Sequence, residues 1–174
     1  MIKVNEAPAI TYNFLNINRT QIEVKAENVC VPKVSELPEG ISLEQNADFS
    51  RIQTGLGKDF DSFFDTIATD KAGCSVYNVA AGKKINVPVR ITFNPADKSF
   101  SYAQQVIVAE EGSESTFIMD YSGCSEGDFG LSTRVFVKEN AMVHLVKVNL
   151  LSKTASHYDS IGTEVAENAK LETI

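Results

Sequence analysis

Few residues of this chain could perform nucleophilic chemistry. A catalytic nucleophile needs a neighbouring base, usually a histidine, and a third group that orients that base. The only histidines in the 174-residue sequence are His144 and His157. His144 lies in a strand-like stretch, and the alternation of that stretch does not show which face of the strand carries the ring. Two roles therefore stay open, namely a hydrogen-bonded or solvent-facing histidine and a metal ligand. His157 lies in a polar segment and is expected to be exposed.

The cysteines offer a second, weak route to chemistry. Cys124 lies in a loop of Gly, Ser and Glu, where an accessible thiol could carry sulfur or ligate iron, although nearby carboxylates disfavour the thiolate. Cys30 and Cys74 have no metal-ligand spacing to a histidine and are expected to be buried. Three cysteines without a CxxC pair favour free thiols in a reducing compartment. Cys124 and His144 are therefore weak metal candidates, no catalytic residue is predicted, and the cofactor, if any, stays unknown.

Carboxylates and glycines give no stronger site. Asp120, Glu126 and Asp128 could serve as calcium ligands, but one acidic loop is weak support because such a site takes carboxylates from neighbouring segments. The glycines at 55 and 57 precede Lys58 without the spacing of a phosphate-binding loop.

Charge and hydropathy exclude several classes of partner. The net charge is −7 and the pI is about 4.9, which disfavours binding to nucleic acid or to anionic membranes. The sequence has no apolar run of about 18 residues, and its first residues lack the apolar stretch of a signal peptide. We therefore expect a cytoplasmic protein without membrane contact.

The second half of the chain repeats at intervals of 28 to 30 residues when Gly82, Gly112, Ala141 and Ala169 are superposed. Apolar residues two apart on each side of this origin have the period of strands with one buried face. Their return in each repeat predicts coils that stack like on like, which is a β-solenoid. The apolar columns are Val76/Val106/Val135/Thr163, Val108/Val137/Val165, Val87/Phe117/Val146/Ile174 and Val89/Met119/Val148.

The corners of the repeat carry residues that tolerate a sharp turn. Each corner reads Glu-Glu-Gly, at residues 110–112, or Glu-Asn-Ala, at 139–141 and 167–169. Gly and Asn are the residues that adopt positive φ most readily. The sequence therefore places the corners at these tripeptides.

Residues 1–72 are expected to form an N-terminal cap on a solenoid that spans 73–174. Within the cap we predict a hairpin over residues 9–24 and an irregular connection over 30–57. A short amphipathic helix is predicted to begin at Asp59, with its phenylalanines over the exposed end of the first coil.

The fourth coil stops at Ile174, before it is complete. An uncapped solenoid end exposes strand edges that pair readily with other strands. We expect that the chain is part of a longer protein and that this form associates with itself through the open end.

Several linked features resemble the SufB/SufD family of SUF iron–sulfur cluster assembly scaffolds, over about two thirds of the chain. A phenylalanine-rich helix at residues 60–68 precedes a first rung that ends in Ile-Asn-Val-Pro-Val, at 85–89. A strand with an acidic residue and Gly corner follows at 106–112, and a strand with Asn-Ala and then an apolar residue and His follows at 135–144. The order and spacing are more similar to SufD than to SufB.

The resemblance implies a right-handed parallel β-helix, mainly β, with a small N-terminal α/β cap. It also implies a non-catalytic scaffold in a complex with a SufC-like ATPase and a SufB-like subunit. The family's cluster-building residues lie in later coils, so none is carried over to this sequence, and an iron–sulfur cluster is expected only at the full complex. Two alternatives stay open, namely a homo-oligomeric structural β-solenoid and a β-helical carbohydrate-active enzyme.

Overall fold

The computed structural model describes residues 1–4, 20–23, 28–47, 57–66, 74–121 and 126–174. Their secondary structure is mainly β, with one helix among the described residues, α1 (Lys58–Thr66). The N-terminal strands are short, and the later ones alternate between two sheets. The strands are β1 (Ile2–Lys3), β2 (Gln21–Ile22), β3 (Asn28–Val29), β4 (Lys33–Val34), β5 (Ile41–Gln45), β6 (Cys74–Val79), β7 (Val89–Thr92), β8 (Phe100–Ala109), β9 (Glu114–Tyr121), β10 (Asp128–Val137), β11 (Met142–Asn149), β12 (His157–Val165) and β13 (Lys170–Thr173).

Two stacks of parallel strands form the body of the protein, which confirms the predicted β-solenoid. One sheet has the strand order β12-β10-β8-β6-β5, with β3 also paired to β8, and the other has the order β13-β11-β9-β7-β4. From β6 onward each coil gives one strand to each sheet, and like strands pair in parallel. The backbone N–H and C=O groups of each coil thus form hydrogen bonds with the coils above and below it.

Apolar side chains fill the space between the two sheets. Val89, Phe117 and Leu145 are Cα partners on successive strands, and all three are fully buried. On the opposite sheet, Ile107 and Val135 form a matching interior pair. Burial of each such side chain contributes roughly 2 kcal/mol of favourable transfer free energy, so the stacked interior holds the coils together.

The corners use the predicted residue types, but the repeat register differs from the predicted one. Gly82, Gly112, Asn140 and Asn168 have positive φ and follow one another at intervals of 30, 28 and 28 residues. The neighbouring Ala141 and Ala169, which served as the predicted origin, are therefore displaced by one position.

This one-residue displacement exchanges the two faces of the strands. Val106 pairs with Arg134 rather than with Val135, so Val106 faces outward whereas Val135 faces the interior. Separately, two extra residues in the first coil leave Val87 62% exposed and place Val89, rather than Val87, opposite Phe117. Because side chains alternate with a period of two, a slip by one residue inverts the face of every residue in the strand.

The end of the first coil is covered by strands from the segment predicted to be irregular. β5 pairs antiparallel with β6, and β4 pairs antiparallel with β7. Together they supply partners for the backbone groups that the first coil would otherwise expose. The N-terminal cap is thus built from β-strands, and the prediction of an irregular connection was wrong at β4 and β5.

Helix α1 forms as predicted but covers a different surface. Phe60 and Phe64 pack in one cluster with Phe100 and Tyr102, two side chains that point away from the solenoid interior. The helix therefore lies on the outer face of the six-stranded sheet and not over the end of the coil. Of the predicted hairpin, residues 9–19 and 24 lie outside the described residues, whereas Gln21–Ile22 pairs antiparallel with Ile2–Lys3.

A buried ion pair also links the helix to this outer face. Arg134 Nη2 lies 3.9 Å from Asp61 Oδ1, and both side chains are almost fully buried. Asp61 and Asp59 lie in the first turn of α1, where the helix dipole favours negative charge. In the part of the chain that the structure describes, no helix has the length and apolarity needed to cross a membrane.

Candidate functional site

Polar side chains replace the apolar interior of the solenoid in its last coils. Lys147 is the Cα partner of the fully buried Met119, and Asp159 is the partner of the fully buried Leu131. These lysine and aspartate side chains therefore occupy interior positions that the preceding coil fills with apolar groups. With Tyr121, His157 and the exposed Asn149 beside them, they form what we term the interior cluster: Tyr121, Lys147, Asn149, His157 and Asp159.

A short ion pair lies at the centre of the interior cluster. Lys147 Nζ donates a hydrogen bond to Asp159 Oδ1 at 2.6 Å, and the two side chains are only 17% and 22% exposed. Tyr121 donates from its hydroxyl to the other oxygen, Asp159 Oδ2, at 3.3 Å. Asp159 thus accepts hydrogen bonds from two side chains, which fixes its carboxylate between the two sheets.

His157 completes the cluster beside two aromatic rings. Its ring stacks on Phe129 with centroids 5.4 Å apart and lies 4.6 Å from the ring of Tyr121. Its Nδ1 lies 3.2 Å from Asn149 Nδ2, so an amide that donates here leaves the proton of the neutral ring on Nε2. That Nε2 is buried and has no hydrogen-bond partner among the residues that the structure describes.

The prediction that His157 is exposed was therefore wrong. The residue begins β12, and strand alternation turns its ring toward the interior, where Phe129 is its Cα partner. The polar composition of the preceding loop misled the prediction, because composition reflects only the average environment of a segment. Which face of the sheet a side chain points to is decided by its place in the alternation of the strand.

Burial sets the protonation states within the interior cluster. It lowers the pKa of His157, and Lys147 adds a smaller lowering effect that Asp159 opposes. Burial also lowers the pKa of Lys147, although the adjacent Asp159 favours the charged ammonium. Burial, followed by the negative charge of Asp159, raises the pKa of Tyr121 well above its usual range. The cluster thus contains a neutral imidazole and a neutral phenol around one ion pair.

This arrangement presents no activated nucleophile among the described residues. The Lys147 ammonium is engaged by Asp159, and the Tyr121 hydroxyl is held in its protonated form.

The structure places His144 on the outer face of the five-stranded sheet, away from the interior cluster. Its Nδ1 lies 2.8 Å from Glu172 Oε2, and Lys170 also pairs with Glu172. The hydrogen bond from Lys170 is the main cause that lowers the pKa of Glu172. Among the described residues there is no group of three or more His, Cys, Asp and Glu side chains that could hold a metal ion.

The remaining sequence candidates do not converge on one place. Cys124 lies outside the described residues. Cys30 and Cys74 are buried thiols, as predicted, and burial raises the pKa of Cys30 to about 11. Asp120 is paired with Arg90 at 2.6 Å, whereas Asp128 accepts a hydrogen bond from the Ser156 amide, so these two carboxylates hold neighbouring segments.

The interior cluster was missed because of the register error. The predicted columns placed Val146 and Val148 in the interior, which turned Lys147 outward. In the structure Lys147 is the interior residue. The available signal was a charged residue at the position one coil after Met119, and it becomes visible only when Gly112 is aligned with Asn140.

Comparison with known proteins locates a family domain in the second half of the chain. Residues 91–174 match the family model described as "SUF system FeS cluster assembly, SufBD core domain". The match includes β8 to β13 and all five residues of the interior cluster. The search of curated proteins found no matching protein.

Proposed function

We propose that this chain acts in SUF-system iron–sulfur cluster assembly as a non-catalytic scaffold subunit of the SufB/SufD family, whose core domain its residues 91–174 match. The proposed subunit is of the SufD type, works in the cytoplasm and pairs with a SufC-like ATPase and a SufB-like subunit. Its iron–sulfur cluster is cargo of the assembled complex and is not a resident cofactor of this chain.

The match to the SufBD core domain is the observation that carries the proposal. That domain coincides with the strands that stack in long parallel ladders, and β8 and β10 alone share ten Cα pairs. A rigid frame of this kind suits a protein whose task is to hold partners in fixed positions.

The chemistry of the described residues supports a non-catalytic role. The strongest candidate for acid–base work, the Lys147 and Asp159 pair, is internal to the solenoid and its charges compensate each other. His144 is paired with Glu172 on the outer surface. Self-association through β12 and β13, which form one edge of each of the two solenoid sheets, stays a prediction.

The test is to identify what the protein binds in its own cells. A tagged copy of the protein, as those cells make it, is purified without oxygen, and the co-purifying proteins are identified by mass spectrometry. We expect a SufC-like ATPase and a SufB-like subunit in comparable amounts, and neither with an unrelated protein that carries the same tag. Recovery of the tagged protein alone, as a monomer or a homo-oligomer, would contradict the scaffold role.

A further inference from the structure

A fully buried glutamine lies in the interior of the solenoid, on a strand face that is mostly apolar. Ala103 and Ile107, two residues before and two residues after Gln105 on β8, belong to the interior core. Because side chains on a strand alternate with a period of two, Gln105 also points between the two sheets. Neither its Oε1 nor its Nε2 has a hydrogen-bond partner among the residues that the structure describes.

A buried amide in this state is unfavourable. A primary amide can form up to four hydrogen bonds, two through its N–H groups and two through its oxygen. A buried donor or acceptor without a partner loses its hydration and gains nothing in return. Roughly nine-tenths or more of such groups in native proteins bond to another protein group or to ordered water. The amide of Gln105 is therefore a group that calls for a bound partner.

The neighbours of Gln105 on the adjacent coils are two short polar side chains. Ser75 on β6 and Thr133 on β10 are its Cα partners, and both are buried. Both are shorter than the glutamine between them, so they fill less of the interior at its amide than long apolar side chains would. Thr133 Oγ1 lies 3.8 Å from Met119 Sδ, and because a thioether is only a weak acceptor, this hydroxyl can form a further, stronger hydrogen bond.

The chemistry of these groups limits what can bind. A bare cation would leave the N–H groups of Gln105 unpaired, and an anion would leave its oxygen unpaired. The oxygen and one N–H of a primary amide lie on the same edge, so a single molecule that both donates and accepts can bond to the two together. Water is the smallest such molecule, and a buried water typically forms about three hydrogen bonds with polar groups of this kind.

We propose that the interior of the solenoid binds a water molecule at Gln105. The water accepts a hydrogen bond from Nε2, donates one to Oε1 and forms its third with Thr133 Oγ1. Met119 Sδ lies 3.7 Å from the Tyr121 hydroxyl as well as 3.8 Å from Thr133 Oγ1. The bound water thus extends the polar interior from the interior cluster to the coil of Gln105. The proposal does not depend on the role in cluster assembly, so either can fail while the other stands.

Oxygen-17 relaxation dispersion of the solvent counts the long-lived water molecules inside a protein, and labile hydroxyl hydrogens do not contribute to it. The test compares the full 174-residue chain with its variant Gln105→Met, which keeps a long side chain but removes both polar atoms. The matched control is Gln45→Met, the same substitution at an exposed glutamine of β5. We expect Gln105→Met to hold about one long-lived water fewer than wild type and the control to hold the same number. An unchanged number in Gln105→Met, or an equal loss in both variants, overturns the proposal.

A measurement on the unaltered protein decides the question even if Gln105→Met does not fold. The wild-type chain is labelled with nitrogen-15 in its glutamine side chains, and magnetisation transfer from water to the Nε2 protons is recorded. We expect the Gln105 protons to show a cross peak with water whose sign is that of a long-lived contact, whereas the exposed Gln45 should show only the transfer typical of mobile surface water. The absence of such a cross peak at Gln105 overturns the proposal.

Discussion

Lys147 and Asp159, twelve residues apart in the sequence, meet between the two sheets of the solenoid, with Nζ 2.6 Å from Oδ1. The transfer of two charges out of water costs free energy, which their attraction and the added hydrogen bond from Tyr121 offset. The ion pair thus occupies two interior positions at which the preceding coil has the apolar residues Met119 and Leu131.

The first prediction concerns this ion pair. Asp159→Asn leaves the Lys147 ammonium without its compensating charge and should reduce the free energy of unfolding by about 2 kcal/mol. Adding Lys147→Met removes the unpaired charge. The loss of unfolding free energy in the double variant should therefore be smaller, by about 1 kcal/mol or more, than the sum of the losses in the two single variants. Urea unfolding of the wild type and the three variants measures this coupling. Strict additivity would mean that the two side chains do not stabilise each other.

The second prediction concerns His157 and pH. Burial lowers the pKa of this histidine below its ordinary value, 6.5, in the folded protein. The unfolded chain therefore binds a proton more readily, and stability present above about pH 6.5 is lost as the pH falls through the folded-state pKa.

Replacement by Phe keeps an aromatic ring against Phe129 but removes the titration. Between about pH 7.5 and pH 5.5, the unfolding free energy should fall more steeply in wild type than in His157→Phe. Urea titrations at several pH values give both slopes, and the constant cost of the lost Asn149 contact does not affect the comparison. Parallel slopes would show that His157 titrates alike in the folded and unfolded states.

The third prediction concerns the close approach of two loops at Gly127. A Cβ at this position would lie 2.4 Å from the carbonyl oxygen of Ser99 and 2.5 Å from that of Ala96. Because these are backbone atoms, Gly127→Ala should destabilise the protein by about 3 kcal/mol. Gly82→Ala is the matched control, since a Cβ there meets nothing within 4 Å and only the positive φ opposes it. Thermal unfolding should show a loss of about 1 kcal/mol for the control, and equal losses would contradict the crowding at Gly127.

The fourth prediction tests the corner register at Asn140. Its φ is 56°, and its backbone N–H donates a hydrogen bond to the backbone carbonyl of Glu167 in the next coil at 3.1 Å. Asn140→Gly retains this geometry and should change the unfolding free energy by less than about 0.5 kcal/mol, whereas Asn140→Val should cost about 2 kcal/mol. Ala141→Gly is the control: Ala141 lacks positive φ, so glycine gains nothing there and should cost about 1 kcal/mol. Chemical denaturation of the three variants decides between the two registers.

Local patterns in the sequence determined the repeat, the residue types at its corners and the phenylalanine-rich helix. Each of these depends on near neighbours. Gly and Asn turn the chain wherever positive φ is needed, and the acidic residues Asp59 and Asp61 favour a helix start. The sequence of the repeat was also enough for residues 91–174 to match the model of the SufBD core domain.

Only the tertiary structure decided which face each strand buries. The first coil is two residues longer than the next, since Lys84 lies opposite Glu114 but Val89 lies opposite Phe117. One residue of error in aligning such unequal coils inverts a strand, and that inversion hid Lys147. The covering role of β4 and β5 and the interior position of His157 likewise depend on pairing between segments distant in sequence. Such pairings are selected by the burial and hydrogen bonding of the whole fold, and a local pattern cannot specify them.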